Sequence, residues 1–138
     1  MRPVFFDTNI FVSADDDSEP SKQERAIQLI AEHRRMGTLA ISPQVLQEDY
    51  VTTTRKLGVD PAIAESKTRL LAKSNVVRFT AEDVIAAIEL HRFAKISMWN
   101  ALIVQAARVA GAAVLYSEDL QHGGVIGGIA IVNPFRTE

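Results

Sequence analysis

Oxygen-bearing side chains recur in this sequence where predicted strands end or predicted helices begin. Asp7 follows the apolar run at residues 4–6, Asn100 lies in the first turn of a predicted helix, and Asp119 closely follows another apolar run. A fourth carboxylate, Glu48, lies on a further predicted helix. The carboxyl ends of parallel strands meet at one edge of a sheet, where open α/β proteins bind ligands. The pattern therefore predicts a cluster of oxygen donors at that edge.

A cluster of carboxylates predicts a bound cation. Like charges held close together repel one another and raise pKa values, and a cation relieves this repulsion. The chain contains no cysteine, and its oxygen donors are the ligands preferred by Mg²⁺ or Mn²⁺ rather than Zn²⁺. The histidines are isolated in sequence, so we interpret them as packing or surface residues: His33, His91 and His122.

Each of these positions also has a purely structural interpretation. Asp7 or Thr8 could serve only as the cap of the next helix, since both residue types are common caps. Asp119 could begin a turn. The spacing of apolar residues does not choose between Glu48 and Asp49 as the fourth acid, and on this evidence the choice stays open.

The predicted elements place these residues on an α/β scaffold. Short apolar strands are predicted at 4–6, 39–41, 75–79, 113–116 and 129–132, with helices between them. Strands that are apolar along their whole length are typical of a parallel sheet covered on both faces. We predict one domain over residues 1–138, with about five parallel strands and helices on both faces of the sheet.

The helix patterns give further predictions about caps and buried faces. Ser21 and Glu24 have the spacing of a capping box, which predicts that a helix begins at Ser21. Trp99 begins an apolar stripe at helical spacing, which predicts that its ring is in the core. Ile63 and Leu70 are predicted to face inward from their own helix.

Composition narrows the class of protein. The 138 residues are 47% hydrophobic and 23% charged, which is typical of a soluble globular chain, and no apolar run is long enough to span a membrane. We expect a cytoplasmic protein. The net charge of −2 gives no overall attraction to nucleic acid, so RNA binding would need local basic residues. The candidates are Arg55, Lys56, Arg69, Lys73, Arg92 and Lys95.

Five segments together resemble the PIN domain family, and most closely the VapC-like toxins of toxin–antitoxin pairs. The segments occur in the family's order along the whole chain: Phe6-Asp7-Thr8-Asn9, Ser42-Pro43-Gln44-Val45-Leu46-Gln47-Glu48, Ile96-Ser97-Met98-Trp99-Asn100-Ala101-Leu102-Ile103, Tyr116-Ser117-Glu118-Asp119-Leu120-Gln121-His122-Gly123 and Asn133-Pro134-Phe135. Each segment alone would be a weak signal, but the combination is specific. The resemblance implies a parallel α/β sheet and a metal-dependent endoribonuclease.

The resemblance also assigns site residues and partners. The family's acidic quartet matches Asp7, Glu48, the position held here by Asn100, and Asp119, which selects Glu48 over Asp49. Polar residues that assist the site match Thr8, Asn9 and Ser117. The implied cofactor is Mg²⁺ or Mn²⁺, and the implied partners are an RNA substrate, a small antitoxin protein and a second copy of the chain.

Asn100 departs from the family pattern, which has an acid at this position. Asparagine keeps the size and one oxygen acceptor but loses the negative charge, so we expect weaker metal binding and attenuated or lost activity. An engineered inactive variant, a naturally attenuated enzyme and a relative that tolerates asparagine all fit. The alternative function is a non-cleaving, PIN-like binding module that acts through a protein partner. A phosphatase-type Asp7 fits less well, because the second acid expected two residues later is absent.

Overall fold

A computed structural model of the chain describes residues 1–136. Its strands are β1 (Val4–Phe6), β2 (Leu39–Ile41), β3 (Asn75–Val76), β4 (Val114–Tyr116), β5 (Val125–Ile126) and β6 (Ile129–Val132). Its helices are α1 (Thr8–Ala14), α2 (Pro20–Met36), α3 (Pro43–Arg55), α4 (Pro61–Leu71), α5 (Ala81–Ala94) and α6 (Met98–Val109). None of these described helices is both long and apolar enough to cross a bilayer. The predicted span of 1–138 includes residues 137 and 138, which lie outside the described residues.

The strands form one mostly parallel sheet. Within residues 1–136 the strand order is β3-β2-β1-β4-β6-β5, and the pairs β1–β2, β1–β4, β2–β3 and β4–β6 are parallel. Strand β1 is therefore central, and its carboxyl end lies beside the carboxyl ends of β2 and β4. The predicted α/β fold with a parallel sheet and flanking helices is confirmed.

The structure adds a sixth strand where the sequence indicated only a loop with a flexible glycine pair. β5 pairs antiparallel with β6 at the edge of the sheet. The two residues between them, Gly127 and Gly128, have φ values of +56° and +84°. A two-residue hairpin turn of type I′ needs positive φ at both central positions, which glycine adopts without a steric penalty. A strand of two residues has no periodicity to detect, so the sequence pattern missed it.

Strand β1 shows that both faces of the sheet are covered. Successive side chains of a strand point to opposite faces, yet Phe5 and Phe6 are both fully buried. Phe6 packs against Phe11 of α1 and edge-on against Tyr116 of β4. The aromatic residues before Asp7 therefore anchor the strand end on which Asp7 is placed.

Three side chains predicted to be in the core are exposed. Trp99 is 67% exposed at the start of α6, and Ile63 and Leu70 are exposed on α4. The core contacts of α4 come instead from the adjacent Ala64 and Leu71. Successive helical residues lie about 100° apart around the axis, so when several neighbouring positions are apolar the spacing alone does not determine which face is buried.

The capping box predicted at Ser21 is wrong. Helix α2 begins one residue earlier, at Pro20, and its N-cap residue Glu19 makes no side-chain cap hydrogen bond. Proline suits the first position of a helix because its fixed φ is already helical and it has no N–H to satisfy. Ser21 therefore lies inside the first turn rather than before it.

A capping box does form at α5, and it supports a testable prediction. The Asp83 backbone N–H donates to Thr80 Oγ1, and the Thr80 backbone N–H donates to an Asp83 carboxylate oxygen at 2.9 Å. We expect Thr80→Ala to lower the free energy of unfolding by about 1 kcal/mol, measured by urea denaturation. The matched control is Thr54→Ala, inside α3, where alanine's higher helix propensity predicts no loss. An equal loss in both variants would contradict this role for Thr80.

Candidate active site

Asp7 lies at the centre of the predicted site. It follows β1 and is the N-cap of α1, where its Oδ1 accepts a 2.7 Å hydrogen bond from the Thr8 backbone N–H. Its Oδ2 accepts hydrogen bonds from the Ser117 hydroxyl at 2.7 Å and from the Asn9 amide at 3.4 Å. The Asp7 residue is only 3% exposed. It is therefore both a helix cap and a buried carboxylate with several polar partners.

Thr8 links Asp7 to Glu48. Its hydroxyl donates a 2.7 Å hydrogen bond to Glu48 Oε1, while its backbone N–H bonds Asp7. Glu48 comes from α3, which follows β2, and Thr8 comes from α1, which follows β1. The two helices start at the same edge of the sheet because β1 and β2 are parallel neighbours. This topology brings together two carboxylates that are 41 positions apart in the chain.

Ser117 links Asp7 to Asp119 in a similar way. The fully buried Ser117 follows β4, and its hydroxyl donates to Asp7 Oδ2 while accepting from the Asp119 backbone N–H at 3.1 Å. Asn9 adds a second bridge, because its Oδ1 accepts from the Glu118 backbone N–H at 3.1 Å. The loop after β4 is thus held against the loop after β1.

The electrostatics of Asp7 also indicate that the acids are close. The pKa of the Asp7 carboxyl is raised to about 6, mainly by burial and to a smaller extent by the negative charges of Asp119 and Glu48. Hydrogen bonds from Ser117 and Thr8 partly offset this rise because they stabilise the charged form. Asp7 is therefore repelled by both of the other carboxylates, and a cation near Asp7 would relieve that repulsion.

Within the described part of the chain, Asn100 is connected to the cluster only through the backbone of the preceding residue, and it does not line the cleft beside Glu48 and Asp119. The Gln44 side-chain amide donates to Glu48 Oε2 at 3.3 Å and to the backbone carbonyl of Trp99 at 3.4 Å. These two bonds hold the start of α6 next to Glu48. At this end of α6 the Asn100 backbone N–H donates a 3.0 Å hydrogen bond to Ser97 Oγ. Asn100 directly follows Trp99, whose backbone carbonyl is connected to Glu48 by the Gln44 side chain.

Glu48 and Asp49 have different environments. The buried Asp49 forms an ion pair with Lys67 at 3.0 Å. Lys67 also bonds Asp15 at 2.6 Å and the Phe11 carbonyl at 2.8 Å. Asp49 therefore belongs to an ion-pair network that joins α1, α3 and α4, whereas Glu48 faces Thr8. The two adjacent acids therefore have different partners, which apolar spacing could not predict.

An open cleft of about 640 Å³ adjoins these carboxylates. Its walls include Glu48 and Asp119 together with two lysines, Lys22 and Lys56. Lys56 was among the basic candidates from the sequence, whereas Lys22 was missed because nothing in its local pattern connects α2 with this cleft. Lys22 forms a 2.6 Å ion pair with Glu118, so its position depends on the tertiary fold.

The other basic candidates and the histidines do not line this cleft. Arg69 pairs with Glu65 on the exposed face of α4. His33 packs edge-on against Phe6, and the His122 ring accepts a hydrogen bond from the Asn133 backbone N–H. The interpretation of the histidines as packing residues agrees with these contacts.

The oxygen-bearing side chains around Asp7 can be compared with the ligands that a divalent cation requires. Among residues 1–136, no three acidic or histidine side chains are close enough together to form a complete metal-binding group. Mg²⁺ usually binds proteins through one or two carboxylates and keeps several of its waters. Oxygen donors that are close and mutually repelling, beside an open cleft, fit such a hydrated ion better than one enclosed by protein ligands.

Comparisons with known proteins agree with this fold. The PIN domain family model matches residues 4–123. No curated protein sequence matches the chain significantly.

Similar folds are found among solved structures. VapC20 from Mycobacterium tuberculosis, a toxin that cleaves the sarcin–ricin loop, is 23% identical over 83% of this chain and 88% of its own, with a TM-score of 0.67. A toxin–antitoxin complex from Klebsiella pneumoniae is 21% identical, covers 95% of this chain and 97% of its own, and has a TM-score of 0.68. VapBC2 from Rickettsia felis, bound to promoter DNA, is 22% identical over 93% of this chain and 96% of its own, with a TM-score of 0.64.

Proposed function

The chain belongs to the PIN domain family, and on that basis we propose that it is a metal-dependent endoribonuclease, the toxin of a toxin–antitoxin pair, attenuated by Asn100. The observation that carries the proposal is the hydrogen-bonded cluster around Asp7. Thr8 connects Asp7 to Glu48 through its backbone N–H and its hydroxyl, and the Ser117 hydroxyl connects Asp7 to the loop bearing Asp119. Helix capping explains the Thr8 N–H bond to Asp7. Helix capping does not explain why the carboxylates of Glu48 and Asp119 lie near the buried carboxylate of Asp7.

The residues proposed to hold the metal are Asp7, Glu48, Asp119 and the side-chain oxygen of Asn100, with one or two carboxylates bound directly and the others through waters that the ion keeps. A divalent cation held there supplies Lewis-acid activation of the scissile phosphate and lowers the pKa of a bound water. Hydrolysis adds a water molecule across one phosphodiester bond, leaving a phosphate on one RNA fragment and a hydroxyl on the other. Mg²⁺ and Mn²⁺ are the cofactors that this oxygen donor set favours.

The chain's own residues orient and polarise the reacting groups. Thr8 and Ser117 hold the carboxylates of Glu48 and Asp7 in fixed orientations through 2.7 Å hydrogen bonds. Asp119 is exposed, so it is the carboxylate best placed to orient an attacking water and accept its proton. Lys22 and Lys56 line the same cleft and are proposed to contact RNA phosphates.

We also propose a domain organisation, a location and protein partners for the chain. Residues 1–138 act as one domain in the cytoplasm, bind a small antitoxin and form a homodimer. Support for the antitoxin comes from the fold neighbours, which include a toxin–antitoxin complex and VapBC2. The homodimer rests on the family resemblance.

The test is cleavage of a structured RNA with Mn²⁺ or with EDTA, for this chain and for Asn100→Asp. We expect cleavage only with metal, and roughly 10–100-fold faster cleavage by Asn100→Asp, because restoring a ligand charge restores metal binding. Adding Glu48→Gln to Asn100→Asp should abolish cleavage, whereas adding Glu89→Gln, exposed on α5, should not. An Asn100→Asp protein without metal-dependent cleavage would refute the proposal.

Asn100 itself favours a second candidate, a binding module that no longer cleaves RNA. In that case Asn100→Asp stays inactive, and the protein acts through a tightly bound partner. The retained acids around Asp7 weigh against this candidate, because helix capping accounts for Asp7 but not for the two further carboxylates, Glu48 and Asp119, whose charges act on it. The same cleavage assay separates the two functions.

A further inference from the structure

Trp99 is a large aromatic residue that the fold leaves in solvent. It is 67% exposed and precedes Asn100 in the first turn of α6. It is also the only tryptophan in the chain. A side chain of this size usually buries most of its surface. Packing inside this chain therefore does not account for the position of its ring.

The backbone of Trp99 is fixed relative to the proposed catalytic carboxylates. Gln44 donates one hydrogen bond to the Trp99 carbonyl and another to Glu48 Oε2. One side chain from the first turn of α3 thus connects the start of α6 with the cluster. The backbone that carries the indole is therefore held next to the site rather than on a separate part of the surface.

A cavity of about 280 Å³ lies beside Trp99. Its apolar wall includes Trp99, Phe79, Val84 and Leu102, and its polar part includes the side chains of Gln44 and Gln47. Gln47 also lines the carboxylate cleft, so the two spaces adjoin at this residue. The volume is near the lower end of the roughly 300–1,000 Å³ range for small-molecule pockets, which is appropriate for one planar ring.

We infer that this cavity binds an unpaired RNA base next to the scissile phosphate, with the base stacked on Trp99 and its polar edge facing Gln44 and Gln47. The inference rests on the proposed ribonuclease function and adds to it a binding site for one unpaired base. Amide side chains offer both donors and acceptors to a base edge, and aromatic rings stack on bases that are not covered by neighbours. In a duplex the base faces are already stacked, so paired RNA cannot occupy the cavity.

An adjacent protein surface is the competing explanation for an exposed tryptophan. The observations favour RNA because the cavity adjoins the carboxylate cleft through Gln47 and because glutamine amides form part of its lining. An interface with a second copy of the chain would give a different signal, in which tryptophan emission depends on protein concentration and not on RNA. That result would overturn the inference.

The first experiment uses the intrinsic fluorescence of Trp99. The chain is titrated with a short unstructured RNA, with the same sequence as a duplex, and with inorganic polyphosphate, in EDTA and again in Mg²⁺. We expect saturable quenching by the single strand in at least one buffer, and little change with the duplex or polyphosphate, because only an unpaired base can stack on the indole. No quenching by single-stranded RNA in either buffer, or equal quenching by polyphosphate, would overturn the inference.

The second experiment measures binding of labelled single-stranded RNA by anisotropy. Trp99→Ala should weaken binding by about 5- to 150-fold, the range expected for loss of one stacked base, and Trp99→Phe should recover part of the loss. Phe93→Ala is the matched control, since Phe93 is 89% exposed on α5 and does not line the cavity. Equal binding by Trp99→Ala and the unchanged chain would contradict the inference.

The results can contradict the base-binding cavity without contradicting the proposed nuclease, and the reverse is also possible. Metal-dependent cleavage by Asn100→Asp without quenching of Trp99 would overturn the base-binding cavity and leave the nuclease proposal standing. Specific quenching by single-stranded RNA without any cleavage would support the cavity and refute the nuclease.

Discussion

Asn100→Asp is expected to bind Mn²⁺ roughly 10–100-fold more tightly than the unchanged chain, a difference of about 1.4–2.8 kcal/mol. The substitution adds a carboxylate at the start of α6, next to the Gln44 hydrogen bonds that reach Glu48. An amide offers a cation one neutral oxygen, whereas a carboxylate offers two oxygens and a full charge. Isothermal titration calorimetry of both proteins measures this difference without an RNA substrate.

The control for this prediction adds the same charge elsewhere. Asn75→Asp places a carboxylate on the exposed edge strand β3 and should leave the Mn²⁺ affinity nearly unchanged. If both substitutions tighten binding equally, the gain is a general effect of net charge. If neither does, Asn100 is not at the metal position and the four-residue ligand set must be revised.

Lys67→Met is expected to lower the free energy of unfolding by about 3–5 kcal/mol, a large part of the roughly 5–15 kcal/mol that stabilises a typical domain. Lys67 is the cation that faces the buried Asp49, and it also bonds Asp15 and the Phe11 carbonyl. Methionine keeps much of the apolar stem but leaves the Asp49 charge buried without its partner. Urea denaturation at neutral pH measures the loss.

Two matched variants test the cause of that loss. Arg69→Met removes a cation from the same helix, but its pair with Glu65 is solvent-exposed, so the loss should stay below about 1 kcal/mol. Adding Asp49→Asn to Lys67→Met should recover part of the stability, because the unpaired charge is then gone. A Lys67→Met loss no larger than that of Arg69→Met would show that the buried pair is not the cause.

The ion-pair network also bears on the site. Lys67 joins α1 to α3, and these helices carry Thr8 and Glu48, which form the 2.7 Å hydrogen bond beside Asp7. Loss of Lys67 is therefore expected to weaken the alignment of the carboxylates as well as the fold. In this interpretation Asp49, the other candidate for the fourth acid, helps to position the helix that carries both Asp49 and Glu48 through its ion pair with Lys67.

Much of the scaffold could be predicted locally. The apolar runs before Asp7 and Ser117 predicted parallel strands because a strand buried on both faces needs apolar residues throughout. Ser42-Pro43 predicted the start of α3 because a cap followed by proline begins a helix, and the structure has that start. The exposure of Trp99 was not predicted, since its spacing equally suits a buried stripe.

The sequence by itself determined the α/β class and the strand ends near which Asp7 and Asp119 are placed, because these depend on residue type and local pattern. Only the tertiary structure decided that Thr8 bonds Glu48, that Asp49 faces Lys67, and that Lys22 and Gln47 border the cleft. The physical reason is that these contacts join different helices. Their geometry is determined by how the helices pack against the sheet, which no local pattern encodes.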